Sequence, residues 1–385
     1  MNKLLPSKQR EVAAQLCRAL ISTNATLDSP EVVEHLFMFI QPLIVEDTSE
    51  RDDEDEEDDE LGAATSAEKE AEEQNLLARL IHLLQTDNLD VLYKLYSGTR
   101  KMFGQGGPSR IKITLPPLVM NAIKVAVQLK QAADAGESPY STSPKKVFQY
   151  CHQTCTELKK HGHSELALRL FLLSAQGAAS AGFEPVVYEF FVQAFTIYEE
   201  EISDSRQQFA LLSQAIGTLR ALPAGGLEVE NYDTLAKRCT MFANKLMKKQ
   251  DSCKGLYLCS HLFWSADEGG LRDEKKIMEC LKKSLKVADT CIQQDSKYVR
   301  LFVDVLNEYI YFYENGVGEA LKFLPALLQL INEYSAQDGV EAKTKAFLAN
   351  TKEYMKVSLQ NPSFLCNPIV YSTISYHNLV SMDVG

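Results

Sequence analysis

Apolar residues recur every three or four positions along most of this chain, the spacing that gathers them on one face of an α-helix. The clearest case runs from Glu165 to Ser205. Leu166, Leu170, Leu173 and Gly177 share a face, and the stretch closes in small residues: Ser174, Ala175, Ala178, Ala179, Ser180 and Ala181. Small side chains let a neighbouring helix come to the near end of the roughly 8–10 Å packing range. Gly182 predicts a C-terminal stop, and Pro185 the first turn of the next helix. That helix carries Tyr188, Phe191, Phe195 and Tyr198 at helical spacing. The expectation is an antiparallel hairpin, its small face packed on its large one.

The same pattern extends in both directions. Residues 8–22 and 30–43 read as short helices, the second with Leu36, Phe39 and Ile40 on its apolar face. Residues 46–73 are acidic and lack apolar periodicity, so self-repulsion and the want of buriable surface predict a disordered loop. Order resumes at Gln74, where Leu76, Leu77, Leu80, Ile81 and Leu84 form one stripe. A helix over 90–103 and a turn over 104–110 follow. From residue 115 the spacing predicts helices over 115–134, 143–161, 164–181, 185–202, 204–222, 231–249, 251–264, 272–292, 296–316, 318–334 and 340–357. Alternation with period two, the mark of a strand, is missing.

Pairs beginning near 115, 164, 204, 251 and 296 give steps of about 49, 40, 47 and 45 residues, close to the roughly 40–47 of HEAT-type repeats. The reading is all-α: an α-solenoid of HEAT-like antiparallel helix pairs. A closed bundle is the rival, but so many helices exceed what one bundle core holds. The division is a short N-terminal helical segment (1–45), an acidic disordered loop (46–73), the solenoid (74–360) and an irregular C-terminal tail (361–385).

Charge sharpens this division. The chain of 385 residues has a net charge of −12. Residues 46–60 hold twelve acids and one arginine, a local −11, which leaves −1 for everything else. No basic field exists to attract nucleic acid or anionic lipid. The nine cysteines fall mostly inside amphipathic patterns and read as reduced, buried apolar residues of a cytoplasmic protein. The N-terminus has no long apolar run of a secretory signal, and no stretch reaches the roughly 18 apolar residues of a membrane span.

Several long strings resemble one family: RLIHLLQTD, FGQGGPSRIKITLPPLV, YEFFVQAFTIYEEEISDS, HLFWS, KKIMECLKKSLKVAD and LNEYIYFYE. They are similar to the C-terminal half of the retromer scaffold family, vacuolar protein sorting-associated protein 35, over roughly residues 30–360. The resemblance implies a non-catalytic scaffold of an endosomal cargo-sorting coat acting in endosome-to-Golgi retrograde transport. It implies a solenoid that cradles a metallophosphoesterase-like subunit, homodimerises, and meets endosomal membranes only through coat partners. The family's Pro-Arg-Leu-Tyr-Leu signature for the arrestin-like subunit is absent, and Leu256-Tyr257-Leu258 shares only part of it. Residues from Asn361 onward do not resemble the family's tail.

Candidate chemistry is sparse, and no cofactor is expected. Asp52, Asp53 and Asp55 resemble the aspartate-rich Mg²⁺ motif of all-α prenyl-transferring enzymes. That chemistry needs a second rigid cluster across a cavity, and none is present. Cys151, His152 and Cys155, or Cys253, Cys259 and His261, offer metal-ligand types without the paired CxxC spacing of a zinc site, so packing cysteines are favoured. Gly104, Gly106 and Gly107 follow a helix and lack GK[ST], so a turn is expected rather than a phosphate loop. Ser164 is read as an N-cap. Trp264, the single tryptophan, is either a core plug or an exposed partner anchor.

Glu199, Glu200 and Glu201 end one helix, where carboxylates oppose the macrodipole. Lys245, Lys248 and Lys249, at i, i+3 and i+4, are read as the basic end of a later helix. The two patches are the expected homodimer contact, acids of one copy against lysines of the other, as the resemblance also implies. The alternatives are another HEAT-repeat adaptor for nuclear transport or phosphatase scaffolding, and an all-α metal-dependent enzyme.

Overall fold

The computed structural model describes residues 5–45, 60–136, 139–265, 271–336 and 339–360. These form fifteen α-helices and no strand, in two units. The first comprises Met1–Ile202 with Leu222–Glu228, the second Ser203–Ala221 with Val229–Gly385. Within each unit, helices joined by short turns pack on their sequence neighbours, the order of an α-solenoid.

The first unit holds α1 (Pro6–Ser22), α2 (Pro30–Ile44), α3 (Glu60–Leu80), α4 (Leu89–Phe103), α5 (Pro108–Asp134), α6 (Pro144–Lys160), α7 (Ser164–Ser180) and α8 (Glu184–Glu200). The α7–α8 hairpin forms as the spacing predicts. Gly182 takes φ 70°, a left-handed conformation open to glycine, and Pro185 sits in the first turn of α8. The aromatic face is broader than expected. Phe190, outside the predicted stripe, lies 6.2 Å from Phe148 of α6 and 5.9 Å from Phe171 of α7, ring centre to ring centre, and joins the three helices.

Helix α7 packs on α8 as expected, but one position of its small face meets a different helix. A Cβ added to Gly177 would stand 2.3 Å from Ile123 Cγ2. Gly177 is therefore the point where α5, not α8, reaches the backbone of α7.

In this unit two boundaries depart from the sequence reading. Helix α3 starts at Glu60, so residues 60–73 are helical rather than loop. Its acids are tied down by arginines: Arg110 Nε donates to Glu70 at 2.8 Å, Arg10 Nη2 to Glu73 at 2.6 Å and Arg18 Nη2 to Glu72 at 2.9 Å. Long-range pairing supplied an order that like-charge counting could not foresee. Residues 46–59 lie outside the described residues.

Helix α5 begins at Pro108, seven residues before its predicted start. Gly107, at φ 74°, turns the chain into it. Pro116 and Pro117 remove two helical donors, yet the first turns persist because Arg110, Ile111, Thr114 and Leu115 are buried.

The second unit holds α9 (Ser205–Arg220), α10 (Val229–Lys245), α11 (Lys249–Ser260), α12 (Glu274–Gln294), α13 (Val299–Glu314), α14 (Leu324–Ser335) and α15 (Ala342–Gln360). Asp204 caps α9 by accepting from Arg206 N and Gln207 N, at 3.1 and 2.9 Å. Asp273 caps α12 through Lys276 N at 3.0 Å. Helix α13 is buried most of the way round, with Phe302, Leu306, Tyr309, Phe312 and Tyr313 inside, and packs on α12, α14 and α15. Among the described residues no helix is long and apolar enough to cross a membrane. The predicted tail, 361–385, lies outside the described residues.

Candidate partner-binding surfaces

The acidic patch ends α8 in the first unit. Glu199, Glu200 and Glu201 are exposed at the surface. Lys159, near the end of α6, places its Nζ 3.6 Å from both Glu200 Oε2 and Glu201 Oε1. One lysine thus offsets the unfavourable position of these acids at a helix C-terminus from within the chain. Ser164 Oγ donates to Glu201 Oε2 at 3.3 Å. Ser164 is the first residue of α7, and its hydroxyl serves Glu201 rather than capping its own helix, so the N-cap expectation is corrected.

The basic patch lies in the second unit and is not one helix end. Lys245 closes α10, Lys248 precedes α11 with extended backbone, and Lys249 opens α11. Leu246 turns inward, 5% exposed, and breaks the helix, while Met247 stands out at 80%. A cation at Lys249 opposes the macrodipole of α11, and Asp251 in the same first turn counters it. The three lysines are exposed. They remain a basic surface, displayed on a turn.

Trp264 is 9% exposed. Its ring meets Phe312 edge-on at 6.5 Å, and the Arg272 guanidinium covers it at 5.0 Å. A ring covered in this way fills the core of its own unit, and its Nε1 is buried without an acceptor.

The metal-type clusters come apart in three dimensions. Cys151 and Cys155 are buried, and burial pushes the Cys151 thiol up to about 12. His152 lies instead between Phe171 and Phe190. Cys253 meets the Ser284 hydroxyl at 3.2 Å, whereas His261 Nε2 meets Glu308 at 2.6 Å. Burial likewise pushes Cys239 and Cys253 to about 12 and Cys280 to about 11. Burial in apolar surroundings keeps these thiols in the protonated form, in which they pack as small apolar groups. Among the described residues no three His, Cys, Asp or Glu side chains are placed to hold a metal ion. Asp52, Asp53 and Asp55 lie outside the described residues.

The family model described as vacuolar protein sorting-associated protein 35 matches residues 1–334. The chain is 36% identical to vacuolar protein sorting-associated protein 35A of Arabidopsis thaliana over 364 residues, which are 91% of this chain and 44% of that protein. It is 31% identical to vacuolar protein sorting-associated protein 35 of Schizosaccharomyces pombe over 298 residues, 74% of this chain and 35% of that protein. The corresponding protein of Dictyostelium discoideum is 29% identical over 357 residues. The chain spans less than half the length of these curated relatives.

Proposed function

The chain belongs to the vacuolar protein sorting-associated protein 35 family, and from that membership we propose a non-catalytic scaffold subunit of the retromer cargo-sorting coat. In this reading the protein works on endosomal membranes in endosome-to-Golgi retrograde transport. It holds a metallophosphoesterase-like subunit, pairs with a second copy of itself, and reaches the membrane through coat partners. The observation that carries the proposal is the family match over residues 1–334, with a relative of that family aligned over 91% of the chain. The helical composition supports it. Stacked helix pairs offer long surfaces for partners.

The direct test is co-expression of the chain with a metallophosphoesterase-like retromer subunit, followed by affinity capture and gel filtration. Co-elution as one stoichiometric complex is expected. Separate elution of two folded proteins would remove the scaffold reading. Hydrolysis of generic phosphoesters by the isolated chain with added divalent metal would remove the non-catalytic one.

A further inference from the structure

A cleft in the first unit has no part in the surfaces described above. Its volume is ≈ 390 Å³, within the roughly 300–1,000 Å³ of ligand pockets. Helices α4 and α5 form its floor with Leu89, Leu92 and Val125, and the extended segment after α3 adds Leu84. That segment is pinned from behind, where Leu27 N donates to Leu83 O at 2.8 Å and Gln85 N to Leu27 O at 3.3 Å.

Tyr140 closes one side, and the two residues after it are tethered. The Asp90 carboxylate accepts from Ser141 N at 2.8 Å and Thr142 N at 2.7 Å. These bonds hold the Asp90 carboxyl down to about 2, so the tether persists throughout the neutral and mildly acidic range. The walls are preorganised, which lowers the ordering cost of taking up a ligand.

The cleft lining is mixed, with Gln85, Thr86, Asp87 and Gln128 beside the aliphatic residues, and one of its buried polar groups is unsatisfied. Asn121 is 8% exposed, and its Nδ2 has no acceptor. Its Oδ1 accepts from Lys124 Nζ at 3.4 Å, which brings a cation beside the orphaned amide. A buried donor without an acceptor is a standing cost to the fold. Groups that break local consistency in this way concentrate at functional sites. The terminal torsion of Asn is soft, so the amide can turn to an acceptor that enters the cleft. A neutral donor and one ammonium group suit a carboxylate. Asp87, also on the rim, weighs against a dianion such as phosphate.

We propose that this cleft docks a short partner peptide that lays an aliphatic side chain on the Leu84–Leu92–Val125 floor and presents a carboxylate to Asn121 and Lys124. The inference rests on the cleft alone and is independent of the retromer reading.

The test titrates the full chain, methyl-labelled at Leu and Val, with N-acetyl-leucyl-leucine as the free acid and as its C-terminal amide. The expected result is a saturable shift of the Leu84, Leu89, Leu92 and Val125 methyl resonances with the acid. Binding of the amide should be weaker by about tenfold or more. Asn121→Leu removes the orphaned donor, so it should melt at the same temperature as the parent or higher while losing the response. Lys124→Glu changes an exposed residue and should also lose it, which keeps the test decisive even if Asn121→Leu folds poorly. Absence of a saturable shift with the acid, an equal response to acid and amide, or undiminished binding by Lys124→Glu would overturn the proposal.

Discussion

Arg110 shows what one residue does when it is buried with its charge. It is 3% exposed, and its guanidinium bonds Glu70 at 2.8 Å and the Leu43 carbonyl at 3.3 Å. Removing one partner of a buried pair is far more damaging than removing an exposed one. Arg110→Ala should therefore lose on the order of 3 kcal/mol in urea unfolding, the low end of that class because Glu70 keeps contact with water. Arg110→Met, which retains the packed stem, should lose less.

Asp90 gives a pH signature at the same scale. Its folded pKa, about 2, lies below the 3.8 of a free aspartate. Its stabilising effect is thus complete above pH ~3.8 and fades as pH falls through about 2. Asp90→Asn should melt at a lower temperature than the parent at pH 7, and the difference should shrink progressively between pH 4 and 2. A constant difference across that window would mean the carboxylate charge is not what holds residues 141 and 142. Neither interaction was legible in the sequence, because their partners stand 40 and more than 50 residues away.

Among elements, the contact of α5 with α7 turns on Gly177. Alanine there would gain up to about 1 kcal/mol in helix propensity. It would also drive a Cβ to 2.3 Å from Ile123 Cγ2, and the stiff β-branched side chain cannot easily yield. Overpacking of about 1–3 kcal/mol should win, so Gly177→Ala is expected to destabilise. Ile123→Ala in the same chain should recover part of the loss, and a double-mutant cycle measures the coupling. Additive effects would show that the helices separate freely.

Helix α3 supplies a second prediction at this scale. Deleting residues 60–73 removes Glu70 and Glu73, whose arginine partners are buried or largely covered. A clear fall in melting temperature is expected. An unchanged value would restore the dispensable-loop reading for those residues. The sequence showed an apolar stripe in α3 from Gln74 but not that the helix already covers Glu70, Glu72 and Glu73, since these acids are paired with arginines far away in the chain.

For the whole molecule the proposed self-association is the question. Glu199, Glu200 and Glu201 of one copy are paired in the proposal with Lys245, Lys248 and Lys249 of the other. Lys159 already stands near two of the acids, so a partner lysine would join it rather than meet bare charge. Exposed pairs are worth only about 0–1 kcal/mol each, and the screening length is roughly 10 Å at 0.1 M salt. A dimer built this way should weaken as salt rises in sedimentation runs. Glu199→Lys, Glu200→Lys and Glu201→Lys together should give monomers. Adding Lys245→Glu, Lys248→Glu and Lys249→Glu should restore the dimer. A folded double reversal that stays monomeric would discard the pairing.

Periodicity alone determined that the folded part of the chain is all-helical, as the described residues are, and where most of the helices after α5 begin and end, because the 3.6-residue repeat of buried positions is a local property. Gly182 and Pro185 fixed the α7–α8 turn for the same reason: each sets its own backbone angles. The family likeness was carried by contiguous strings, each a helix or a helix with its adjoining turn. Beyond the α7–α8 hairpin, the sequence left open how the helices pack on one another. It gave Lys245, Lys248 and Lys249 the spacing of one helix face, and only the inward turn of Leu246 put them on a bend. It marked Gly177 as small, and only the packing showed that α5 is what approaches. The cleft at Asn121 gave no signal at all, since an asparagine within a helical stripe reads as one polar interruption. Its missing acceptor becomes visible only when α4, α5 and the Tyr140 loop close around it, because hydrogen-bond satisfaction belongs to the folded neighbourhood and not to the residue.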